Sequence, residues 1–271
     1  MKKRLRFEAL TAVVLVASVV IVACTTVPVT GRRQLNLIPR SELLAMSYSQ
    51  YDQFLGEHPV ITGTPEAAMV ERVGNRIAGA VEDYLRDQGK ADHLRGYDWE
   101  FRLVEDDAVN AWCMPGGKVV VYTGILPVTR DEAGLAVVMG HEIAHAVAEH
   151  GNERMSQTLL AELGGVGLSV AMRERPERTR NMWLAAYGAG AQVGVLLPFS
   201  RRQESEADEL GLIFMAKAGY DPREAPDFWG RMTAERGGPG PPEFLSTHPA
   251  DDTRMRNLRE LMPTALEYYD P

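Results

Sequence analysis

Apolar positions along the chain predict a series of helices interrupted once by strands. Over residues 42–55, and again from Thr64-Pro65-Glu66 through Val70, Val73, Ile77 and Val81 to Leu85, hydrophobic residues recur at intervals of three and four, as on a helix with one buried face. Pro65 suits an early helical position, and Gly89 follows the end of the second segment. The period then drops to two. Residues 99–104 alternate, and residues 118–123 are rich in β-branched side chains after a Pro115-Gly116-Gly117 turn, so a small sheet is expected. Helical spacing returns with Leu135, Val138, Ile143 and Val147, behind Thr129-Arg130-Asp131-Glu132 in the form of a capping box and with Gly151 as the predicted stop. Residues 159–172 and 182–199 are strongly apolar. Glu162 interrupts the first run, while Gln192, three glycines and Pro198 dilute the second, so both are predicted as buried core helices rather than membrane spans, which need about 20 apolar residues. Residues 237–242, all Gly and Pro, are predicted as a loop. The result is an α+β, mainly helical fold with a small β-sheet beside one central helix.

That central helix carries the chemistry. His141-Glu142-Ile143-Ala144-His145 places two imidazoles one turn apart on one helical face with a carboxylate between them, which is a zinc-binding pair with a built-in base. Its flanks, Val137-Val138-Met139-Gly140 and Ile143-Ala144, set the motif into a core rather than on a solvated face. A third ligand must come from elsewhere. Ala148 and Gly151 stand where a metzincin would need glycine and histidine. His150 lies about 180° round the helix from His141 and points away, and Glu149, on nearly the right face, lies about 12 Å along the axis, too far to share one ion. The best source is Glu204-Ser205-Glu206-Ala207-Asp208: Glu204 and Asp208 share a face, one to ligate and one to orient a ligand imidazole, with Glu206 turned away. Cys113 has no identifiable base beside it and reads as a small buried hydrophobe.

The termini and composition change the picture in one respect, where the protein works. Lys2, Lys3, Arg4 and Arg6 precede an apolar run at residues 11–23, which is an export signal. It ends at Ile21-Val22-Ala23-Cys24, which resembles the lipobox of bacterial lipoproteins and implies lipidation of Cys24; an uncleaved anchor is the alternative. The chain of 271 residues carries 29 Lys+Arg against 37 Asp+Glu, or 25 against 36 without the first 23 residues, and shows no basic patch with interleaved aromatics. Nucleic acid is therefore not an expected partner. If Cys24 is lipidated, Cys113 is left alone and no intrachain disulfide is expected. The reading divides the chain into a signal peptide (1–23), a lipid-anchored tether (24–41) and a single metallopeptidase domain (42–271).

Together, His141-Glu142-x-x-His145, Glu204-x-Glu206-Ala207-Asp208, Asn110-Ala111-Trp112-x-x-Pro115-Gly116-Gly117 and Ser246-Thr247-His248-Pro249 with Arg254 resemble a family of zinc metalloendopeptidases. It includes the CAAX prenyl endopeptidases, the HtpX-like proteases and the periplasmic β-barrel assembly-enhancing proteases. Val29-Thr30-Gly31-Arg32-Arg33-Gln34-Leu35 resembles its lipoprotein branch, and the chain ends too soon after Arg254 to carry the repeat domain of the assembly-enhancing proteases. The resemblance implies a zincin-like (gluzincin) catalytic domain with one Zn2+ held by His141, His145 and Glu204, with Glu142 as the base and Asp208 supporting the ligands. It further implies that Asn110 and Ala111 offer backbone to an extended substrate, and that Arg254 faces the developing oxyanion. For His248 the family offers two roles, an inhibitory zinc ligand or a substrate-facing residue; its place after the Gly/Pro loop predicts mobile backbone rather than helix. Expected substrates are unfolded or misfolded envelope proteins, with outer-membrane assembly machinery as a possible partner and the periplasmic face of the outer membrane as the location, since Thr25 is not an aspartate retention signal. The competing reading is an envelope assembly or chaperone-type factor with a latent or structural metal. Glu142 discriminates, because a structural zinc site has no use for a base.

Overall fold

The computed structural model describes residues 24–27, 29–192, 196–235, 243–248 and 252–270. The expected export signal, the whole Gly/Pro-rich loop at 237–242 together with Pro249, and residues 193–195 of the second apolar run lie outside the described residues. The chain divides into two compact units, Met1–Arg40 with Gly151–Phe199, and Ser41–His150 with Ser200–Pro271.

In the first unit, β1 (Cys24–Thr26) pairs antiparallel with β2 (Arg33–Leu35), Cys24 opposite Leu35. Gly31, at φ 69°, closes the turn between them. The expected tether thus carries a two-stranded ribbon. Polar contacts hold it to the first turns of α5 (His150–Ala171). Arg32 grips Glu153 with two parallel bonds of 2.8 and 2.7 Å, and Ser156 Oγ accepts from the Leu37 N–H at 2.8 Å. A planar guanidinium on a buried carboxylate is the strong form of such a contact. Helix α6 (Glu177–Ala191) meets α5 through Tyr187, whose hydroxyl donates to the Ala161 carbonyl at 3.0 Å.

The expectation that these apolar runs form buried core helices is wrong for this hairpin. Leu163 is 57% exposed, Val166 61% and Trp183 52%, and no residue of α6 is buried. Apolar periodicity records that a face seeks a partner, not that the chain supplies one. No described helix is long and apolar enough to cross a membrane.

The second unit holds a four-stranded sheet in the order β3-β4-β6-β5, from β3 (Val60–Ile61), β4 (Glu100–Val104), β5 (Ala111–Met114) and β6 (Lys118–Tyr122). β4 and β6 run parallel, Glu100 beside Lys118, and the other pairs are antiparallel. Helix α1 (Arg40–Glu57) covers part of the sheet with Tyr51, which clusters with Val104, Val120 and Tyr122. Helix α2 (Pro65–Asp87) starts as its sequence predicts: Thr64 Oγ1 accepts from the Ala67 N–H at 3.1 Å and Pro65 takes the first turn. It packs on β4 and on α4 (Glu132–Val147), which also lies along β5.

Every residue of α4 from Gly134 to Val147 is buried. Its cap is not the predicted one. After the short α3 (Leu126–Thr129), Arg130 adopts φ 69°, so Asp131 rather than Thr129 caps α4, its carboxylate accepting from the Ala133 and Gly134 N–H groups at 3.0 Å. Nor does α4 reach Gly151. It stops at Val147, Glu149 takes φ 58°, and α5 begins at His150.

Candidate metal centre

Helix α7 (Leu197–Lys217) crosses α4 where both carry glycine. A Cβ on Gly140 would stand 3.0 Å from the Gly211 carbonyl oxygen, and one on Gly211 would stand 3.0 Å from the His141 nitrogen. This backbone-to-backbone approach sets the carboxylates of α7 against the imidazoles of α4. Gly211→Val should therefore destabilise the fold by about 1–3 kcal/mol through overpacking and weaken metal binding with it. Thermal unfolding and a zinc titration on the same sample check both effects.

The remaining groups come from two helices C-terminal to these. His248 follows α8 (Glu243–Thr247), its N–H donating to the Phe244 carbonyl at 2.8 Å, and Arg254 lies in the first turn of α9 (Asp252–Leu266). His248 lies just outside the helix, and its side chain is turned inward, 6% exposed.

His141, His145, Glu204 and His248 each point one donor atom into a common space, all four donors lying within 4.8 Å of one another. Nε2 of His141 is 3.1 Å from Nε2 of His145, and Glu204 reaches them at 3.4 Å (Oε2) and 3.3 Å (Oε1). His248 Nδ1 lies 3.1 Å from His141 Nε2 and 2.9 Å from Glu204 Oε2. A tetrahedron with metal–ligand bonds of about 2.0–2.1 Å has edges of about 3.3 Å. The side chains present therefore fit a tetrahedral cation with nitrogen and carboxylate ligands. Glu142 stands outside this donor set, with its Oε1 3.3 Å from His248 Nε2.

A second ring of contacts holds these donors. Asp208 Oδ1 lies 3.0 Å from His141 Nδ1 and accepts from Arg254 Nη2 at 2.5 Å. The guanidinium also reaches Glu204 at 3.5 Å and lies over Trp229, 3.4 Å from the ring centroid. Glu206 is turned away from the donors, as its position on the helix predicts, and meets His150 instead. The expectation that His150 points away from the site is wrong, because it assumed an unbroken helix. The break after Val147 returns His150 to His145, with their Nδ1 atoms 2.8 Å apart.

Burial is the largest influence on the ionisation of these groups and opposes charge on each. On His141, hydrogen bonds with Asp208 and Glu204 outweigh it and lift the pKa to about 9; on His145 burial prevails and the pKa falls well below the ordinary histidine value. Against burial, the neighbouring imidazoles of His145, His141 and His248 hold Glu204 below the carboxylate range, and Arg254 with His141 does the same for Asp208.

Along α4 runs β5, the strand at one edge of the sheet. Of the two strands nearest this helix, β6 is paired on both sides, so the open edge is Ala111–Met114, the strand that begins at Ala111. Tyr122 N–H donates to Asn110 O at 3.1 Å, so by the alternation of an antiparallel ladder the backbone groups of Ala111 and Cys113 are directed away from β6. Asn110 Oδ1 accepts from the Ala111 N–H at 2.9 Å. Cys113 is half-buried, and burial followed by the Glu142 charge pushes its thiol well above the usual range, the opposite of an activated nucleophile.

Residues 69–262 match Peptidase family M48. The chain belongs to that family. It is 34% identical over 243 residues to the mitochondrial metalloendopeptidase OMA1 of Schizosaccharomyces pombe, covering 88% of this chain and 66% of that protein. To the human metalloendopeptidase OMA1 it is 31% identical over 245 residues, covering 89% and 46%. To the β-barrel assembly-enhancing protease of Yersinia pestis it is 34% identical over 220 residues, covering 80% and 43%. The chain thus spans roughly half the length of such relatives. The M48 match runs through the zinc-type motif of α4, the carboxylates of α7 and Arg254, the segments whose side chains converge here.

Proposed function

We propose that the protein is a zinc-dependent metalloendopeptidase that hydrolyses peptide bonds in unfolded or misassembled cell-envelope proteins. The convergence of His141, His145 and Glu204 beside a carboxylate that is not itself among the donors carries this reading. Two imidazoles and one carboxylate are the ligand set of a catalytic zinc, which leaves a position for water or substrate. His141, His145 and Glu204 would hold the zinc, which would supply Lewis acidity toward a water and the peptide carbonyl. Glu142, buried at 4% exposure on the same helical turn, takes the proton of the attacking water and delivers it to the leaving amine. Asp208 fixes the His141 ring from its Nδ1 side. The outward backbone of Ala111 and Cys113 pairs with an extended peptide, which selects for unfolded chain more than for sequence. Arg254, held by Asp208 and stacked on Trp229, keeps a positive charge next to the donors, where an oxyanion would form. His248, as the fourth donor, occupies the position a water needs and keeps the site latent.

Placement in the envelope rests on the charged, then apolar segment before Cys24, and on the similarity to the β-barrel assembly-enhancing protease of Yersinia pestis. In this reading residues 1–23 are the export signal, residues 24–41 the lipid-anchored tether and residues 42–271 the peptidase domain. Cys24→Ala should shift the protein from the membrane fraction to soluble or unprocessed forms. Mass spectrometry of the mature N-terminus checks it: an acylated Cys24 is expected, and an unacylated N-terminus would leave the lipid anchor without support.

A further inference from the structure

His150 is 0% exposed, and each of its ring nitrogens meets a buried partner. Nδ1 lies 2.8 Å from His145 Nδ1, and Nε2 lies 2.9 Å from Oε2 of Glu206, which is 5% exposed. Two imidazole nitrogens at that distance must be one donor and one acceptor, because two lone pairs or two N–H groups would repel. His145 turns its Nε2 to His141 and Glu204, the side on which a metal would take a lone pair. Its hydrogen then resides on Nδ1, His150 Nδ1 accepts it, and the N–H of His150 Nε2 donates to the Glu206 carboxylate. One arrangement of protons satisfies all three groups.

We propose that His150 and Glu206 form a positioning relay for His145, fixing its tautomer and ring plane and passing the electron-donating effect of the Glu206 carboxylate through one imidazole to the ligating nitrogen. The two histidines of α4 are then oriented from behind by different devices: Asp208 acts directly on His141 at 3.0 Å, whereas Glu206 acts on His145 through His150. Both carboxylates stand on α7, on opposite sides of Ala207, which is itself fully buried. The break at Ala148 and Glu149 has a role in this arrangement, since the interrupted helix brings His150 back to His145, the ligand three residues before Ala148. Partners of this kind raise ligand basicity, and their loss typically weakens metal binding by about 10–100-fold.

This inference rests on the metal-centre reading, and the experiment separates the two. The full chain, stripped of metal, is titrated with zinc in competition with a chelating indicator, as wild type, His150→Leu and Glu206→Gln. His150→Leu should weaken zinc binding by about 10–100-fold. Glu206→Gln should weaken it less, because the amide oxygen still accepts from His150 while the charge is gone, and it should leave the thermal unfolding of the metal-free protein nearly unchanged. In the zinc-loaded wild type, nitrogen-15 spectra of labelled histidines should show His145 protonated on Nδ1 and His150 on Nε2. Wild-type protein that binds no zinc would defeat the metal-centre reading. Wild-type protein that binds zinc, with both variants binding it equally well or with His150 protonated on Nδ1, would overturn the relay alone. Should His150→Leu fail to fold, the Glu206→Gln affinity and the wild-type spectrum still decide.

Discussion

Glu142→Gln should keep the fold and the metal while hydrolysis of an unfolded protein falls by about 10²–10⁴-fold, the usual contribution of a positioned general base. The argument is geometric. Glu142 lies beside His141 in the sequence, yet the four converging donors do not include it, so replacing one of its oxygens with an amide removes no ligand. The substitution is nearly isosteric in a helix buried from Gly134 to Val147, where a change of volume would be felt but a change of protonation chemistry would not disturb packing. Wild-type activity in Glu142→Gln, with full metal content, would remove the residue from the mechanism.

His248→Ala should act in the opposite direction, raising hydrolysis while zinc content stays the same. With its Nδ1 2.9 Å from Glu204 and 3.1 Å from His141, the ring fills the corner of the donor set that a water must hold for catalysis. Three ligands remain after its removal, enough for a catalytic zinc. The gain reports the fraction of molecules in which the ring has already left; a closed arrangement favoured by about 1.4 kcal/mol corresponds to a gain of about tenfold. A fall in activity with fold and metal intact would instead make His248 a catalytic or substrate-binding residue.

Much of this site was legible in the sequence because its geometry is local. The spacing of His141 and His145, and of Glu204 and Asp208, fixes a face on any helix, and pairing the two faces needed only the chemistry of a third ligand. The turning away of Glu206 followed from the same periodicity. What escaped depended on events a pattern does not encode. Glu149 carries a side chain yet adopts φ 58°, so nothing in the sequence marked the end of α4, and His150 was assigned to the wrong side of it. Arg130 behaves likewise ahead of Asp131, which moved the helix cap. β5 is a four-residue edge of Ala-Trp-Cys-Met without alternation, so no periodicity marks it as a strand, and Asn110 and Ala111 stand out through the family resemblance alone. The α5–α6 hairpin shows the remaining limit: its apolar spacing predicts helix, which forms, and core, which does not, since Leu163, Val166 and Trp183 face outward.

The central claim is that hydrolysis depends on a metal held by His141, His145 and Glu204, and its most direct measurement is activity against metal content on the purified full chain. Cleavage of an unfolded protein should stop when a chelator removes the metal and return as about one equivalent of zinc per chain is restored, with Glu204→Ala failing to recover at the same zinc concentration. Cleavage that persists in the metal-free protein, or that Glu204→Ala recovers as fully as wild type, would contradict the account.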